Sequence, residues 1–63
     1  MEYFEGKPVD YMGDGVYVVF DGYGIELRAN DHKNPTDTIY LEPEVFKNLV
    51  NFDKKMKEYK NEI

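Results

Sequence analysis

From Val16 to Leu27 the residues sort at a period of two into an apolar face and a mixed one, and beyond Pro43 the apolar residues recur every three to four positions. The chain therefore reads as a sheet followed by a helix. In the first stretch Val16, Val18, Phe20, Tyr23, Ile25 and Leu27 fall on one face, and Tyr17, Val19, Gly24, Glu26 and Arg28 on the other. Asp21-Gly22 lies between the two halves, and such a pair favours a two-residue type I′ turn. That turn sets Phe20 opposite Tyr23, Val18 opposite Ile25 and Val16 opposite Leu27, with each pair sharing a face. The apolar face is then expected to be the core and the Tyr17 face to look outward.

On either side the pattern is weaker. Residues 1–7 show no period and are expected to fray. Val9 and Tyr11 flank Asp10 in a short strand at 8–12, and Gly13-Asp14-Gly15 turns the chain into the central hairpin. Residues 30–37 are polar apart from Pro35 and read as an exposed loop. Thr38-Ile-Tyr-Leu41 forms another strand, with Ile39 and Leu41 inward and Thr38 and Tyr40 outward.

The period changes at Glu42. Pro43 suits a first helical position, and Glu44 complements the positive end of the helix dipole. Val45, Leu49, Phe52, Met56, Tyr59 and Ile63 are spaced as a heptad seam, which Phe46 and Val50 widen over the first turns only. A helix over 43–62 is about 30 Å long, whereas strands of five or six residues span about 17–20 Å. The first half of the helix is expected to cover the sheet. Phe52, Met56, Tyr59 and Ile63 then lie beyond it, to be met by a second copy, covered by Tyr3 and Phe4, or left to solvent. Residues 1–63 thus predict one α+β domain: a three- to four-stranded antiparallel meander at 8–41 and one long C-terminal helix.

Composition narrows the chemistry. A chain of 63 residues has little core to draw on, and without cysteine no disulfide or thiolate can reinforce it. Self-association is the remaining common remedy, and a homodimer through the helix is the expectation. The formal charge is −5, but residues 1–44 carry ten acids and three bases whereas 45–63 carry five lysines and three acids. The acidic sheet portion disfavours direct binding to nucleic acid. No apolar run is long enough for a membrane span, and Glu2 and Glu5 stand where a secretory leader would carry basic residues. A cytoplasmic protein is expected.

Catalytic constellations are missing from the sequence. His32 is the sole histidine and sits beside Asp31 in the polar loop, short of the ligand set a metal needs. There is no Ser or Cys nucleophile, and Thr36 and Thr38 lack a base and an orienting group. Gly13-Asp14-Gly15 lacks the helix and lysine of a phosphate loop. The expectation is a non-enzyme without metal or cofactor. On the face read as outward, Tyr17, Val19 and Tyr40 with Glu26 and Arg28 have the composition of a binding hot spot, aromatics inside a charged rim.

Tyr11-Met-Gly-Asp-Gly-Val-Tyr17, Phe20-Asp-Gly-Tyr-Gly-Ile25 and Ile39-Tyr-Leu-Glu-Pro-Glu-Val45 resemble a family of very small bacteriophage and prophage proteins. The likeness covers about residues 11–50; the lysine-rich tail lies outside it. It implies a phage origin, action in the cytoplasm of an infected bacterium, and no catalytic residues. Small phage proteins of this kind often bind and block host proteins, including defence proteins. The function expected is binding to a host protein. The alternatives are an acidic mimic of DNA that fills a basic cleft, and a dimer that sequesters a small ligand.

Overall fold

The computed structural model describes residues 2–62, with side chains through Lys60. Five strands, β1 (Glu2–Phe4), β2 (Lys7–Gly13), β3 (Val16–Phe20), β4 (Ile25–Ala29) and β5 (Thr38–Leu41), precede one helix, α1 (Pro43–Glu62). The strands form one antiparallel sheet in chain order. The fold is α+β, with one strand more than the sequence pattern suggests. Glu2–Phe4, expected to fray, pairs with β2 across Glu5-Gly6.

Type I′ geometry occurs in this sheet, but not at Asp21-Gly22. Both central residues have positive φ at Glu5-Gly6 (52° and 79°) and at Asp14-Gly15 (52° and 81°), the condition that turn requires. Asp14-Gly15 joins β2 to β3 after a bulge at Met12. At Asp21-Gly22 only Gly22 has positive φ. Four residues, 21–24, make the connection, and Phe20 faces Ile25, Val18 faces Leu27 and Val16 faces Ala29. The cause is the Asp21 side chain. Its Oδ1 accepts hydrogen bonds from the backbone N–H of Tyr23 (2.9 Å) and Gly24 (2.8 Å), which holds the longer loop closed.

The register therefore differs from the expected one by two residues. A shift of two preserves parity, so the membership of each face stands. What reverses is which face lies inside. Phe4 on β1 and Arg28 on β4 are separated by two strands, yet the guanidinium carbon lies 5.0 Å from the Phe4 ring centroid. Four flat strands would span about 14 Å at this spacing. The sheet must curl toward the face that carries Val9, Tyr11, Tyr17, Val19, Glu26 and Arg28. Val9 and Val19, cross-strand partners there, are each 3% exposed. Val19, expected to meet a partner on an outer face, is a core residue.

The opposite, convex face carries Val16, Val18, Phe20, Ile25, Leu27, Ala29, Ile39 and Leu41. It was expected to be the core beneath the helix. Only Leu41, next to the helix start, is buried, and Ile39 is 61% exposed. The helix begins as the pattern predicts: the Glu42 carbonyl accepts from Phe46 N–H (2.9 Å), and Pro43 takes the first position. It then leaves the sheet at the end of β5 instead of folding back over it. The described chain extends over 44 × 24 × 22 Å.

Candidate functional site

Two groups of side chains stand out, both on the concave side. The first surrounds Arg28. Its Nε donates to Glu26 Oε1, two residues away on the same face of β4, and Nη1 donates to the carbonyl of His32. The second bond draws loop 30–37 over the sheet. The His32 ring then lies edge-on to Phe4 (5.9 Å between centroids) and 5.5 Å from Tyr17, which in turn lies 4.8 Å from Tyr11. Expected to be solvated in a turn, the His32 side chain is 20% exposed. The loop is pinned at its base as well: Asn30 N–H donates to the Gly15 carbonyl, and Asn30 Nδ2 to Thr36 Oγ1 at 2.8 Å. A Cβ at Gly15, where φ is +81°, would lie 2.9 Å from Asn30 Oδ1. Glycine is thus required there by both backbone and space.

The second group is centred on Asp21. While Oδ1 holds the backbone of its own loop, Oδ2 accepts a hydrogen bond from the Tyr40 hydroxyl at 2.8 Å. Tyr40 reaches Asp21 by lying across buried Gly24, where a Cβ would lie 2.6 Å from Tyr40 Cζ and 2.8 Å from the Leu41 carbonyl oxygen. The bond from Gly24 N–H, then those from Tyr23 N–H and the Tyr40 hydroxyl, hold the Asp21 carboxyl below its usual range. The same bond to Asp21 raises the Tyr40 phenol above its ordinary value. The Phe-Asp-Gly-Tyr-Gly segment is therefore a clasp between the β3–β4 loop and β5.

Of the five residues expected to bind a partner, Tyr17, Glu26 and Arg28 come together, but their contacts are mostly internal. Tyr40 lies on the same face at 44% exposure and is engaged by Asp21; Val19 is buried. The accessible part of the cluster is at the β2 edge. Tyr11 is 52% exposed, and with Tyr17, Val9, Glu2 and Asp10 it lines a depression of about 260 Å³. Sequence reasoning missed Tyr11, Phe4 and His32. Tyr11 shares a face with Val9 and was legible as a strand residue, but its pairing with Tyr17 needed the register. On the helix Phe52, Met56 and Tyr59 are 56%, 41% and 58% exposed; Ile63 lies outside the described residues.

No protein-family profile, curated protein or solved structure matches the chain. Its chemistry is therefore read from the geometry alone. Among the described residues no three His, Cys, Asp or Glu side chains are grouped as metal ligands would be. Among them no helix is long and apolar enough to cross a membrane.

Proposed function

We propose that this chain acts by binding a protein partner rather than by catalysis, as an accessory factor of a bacteriophage that occupies a host bacterial protein, a defence protein among the targets. The observation that carries the reading is the Tyr11–Tyr17 platform with the Glu2 carboxylate beside its depression. Two aromatic rings beside a carboxylate fit a basic side chain, which gains from both the ring faces and the acid. The platform is held from beneath by Arg28 and His32, so little ordering is needed on binding. The phage setting rests on the resemblance of the Gly-Asp-Gly-Val-Tyr, Phe-Asp-Gly-Tyr and Leu-Glu-Pro-Glu-Val segments.

A DNA mimic is the competing reading, favoured by the ten acids of residues 1–44. The test is affinity capture from host lysate with the parent chain and with Tyr11→Ala, followed by calorimetry on the captured protein at several salt concentrations. The reading expects Tyr11→Ala to weaken binding by about 1–3 kcal/mol with modest dependence on salt. Equal binding by Tyr11→Ala, or an affinity that collapses as salt rises, refutes the platform and supports the mimic.

A further inference from the structure

The convex face of the sheet and the stripe of the helix are two apolar surfaces that this chain leaves uncovered. We propose that each fits the other on a second copy: α1 of one protomer lies on the convex sheet face of its partner, and the exchange is reciprocal about a two-fold axis. The occupant is a second copy of this chain, independent of any host target.

Area supports this first. The described chain exposes 5180 Å², where a compact monomer of its mass exposes about 4,250 Å². The excess is roughly 900 Å² per chain, close to the 800 Å² that each side of a standard stable interface buries. The radius of gyration agrees: 13.7 Å against about 10.6 Å for a compact chain of this length. The molecule is extended by about one uncovered interface.

Shape comes next. Two depressions mark the convex face, one of about 230 Å³ beside Val18, Phe20 and Ile25 and one of about 170 Å³ beside Val16, Leu27 and Ile39. They sit toward opposite ends of β3, whose Val16 and Phe20 are about 13 Å apart. Along the helix, Leu49 to Tyr59 advances about 15 Å. Four seam residues, Leu49, Phe52, Met56 and Tyr59, match that length, and they are 50%, 56%, 41% and 58% exposed.

Charge then separates this arrangement from a parallel pair of helices. Asp10 lines the first depression and Asp37 the second. Of the helix lysines, Lys55 and Lys60 flank the seam at helical spacing. A parallel pair of helices would set these lysines against each other, whereas a helix on the acidic sheet brings them toward carboxylates.

Sedimentation equilibrium at micromolar concentration tests the proposal on the full chain with two variants. Met56→Glu spoils the helix stripe, and Ile39→Glu spoils the sheet face at a residue already 61% exposed. Phe20→Glu, at a residue 45% exposed, is a second sheet-face variant should the first not fold by circular dichroism. The parent is expected at twice the chain mass and each variant alone at the single mass. Mixing the two variants should restore heavier species, because the intact helix of one meets the intact sheet of the other. A monomeric parent, a dimeric Ile39→Glu, or a mixture no heavier than its parts overturns the proposal.

Discussion

Gly24→Ala tests the clasp most directly. The new methyl would lie 2.6 Å from Tyr40 Cζ and 2.8 Å from the Leu41 carbonyl oxygen. The ring can swing away only by giving up its hydrogen bond to Asp21. The carbonyl cannot move so easily, because Leu41 is paired with Ile25 in the sheet. Overpacking of this kind costs about 1–3 kcal/mol. A loss of about 2 kcal/mol corresponds to a fall in Tm of about 8–16 °C in a domain this small. Differential scanning calorimetry or thermal circular dichroism reads it. The double variant Gly24→Ala, Tyr40→Ala removes the ring but not the carbonyl, so it should lose less than the two single losses together. If Gly24→Ala alone melts within about 2 °C of the parent, the close approach is not a constraint and the argument for the clasp fails.

Other expectations follow from the same contacts. Val19→Ala should cost about 2 kcal/mol or more in chemical denaturation, since it removes two buried methyl groups; an unchanged midpoint would return Val19 to the outer surface. His32→Ala should cost about 1 kcal/mol through the lost contacts with Phe4 and Tyr17, and full stability would mean that the loop docks by its backbone alone. The Asp21 carboxyl is lowered in the folded state, so its contribution is present above the unfolded value near 3.9 and is lost as pH falls through the folded value. Asp21→Asn should therefore flatten the acid limb of the Tm-against-pH curve; an identical limb counts against the bonds. The Tyr40 phenol is raised, so its contribution holds below pH about 10 and is lost as pH rises through the folded value. In an ultraviolet titration Tyr40→Phe should remove a late-ionising tyrosine, and removal of an earlier one would contradict the bond to Asp21.

The elements were largely legible from the pattern, because β5 and the helix lie on either side of a change in period at Glu42-Pro43. Face membership was legible too, since parity survives an error of two residues in register. The inner face was not. Arg28 and Tyr17 read as outward residues, whereas their long side chains, crossed by Phe4 and His32, fill the inside of the curled sheet. The apolar side, Val18, Leu27 and Ile39, read as core because nothing in the pattern says whether it is covered from within the chain. The Asp-Gly rule found a turn at residues 21–22, but the side chain of Asp21 reached two amides and lengthened the loop.

The strict chain order of the strands also bears on how this protein comes to be folded. Each strand meets the one made just before it, across connections of two residues, two residues, four residues and the eight of loop 30–37. Loop-closure entropy stays small when separations are short, and chains dominated by local pairings fold quickly. The sheet is thus suited to zip from β1 to β5 in the order of synthesis. α1 follows β5 in the chain, so its apolar stripe emerges only after all five strands are available to pair.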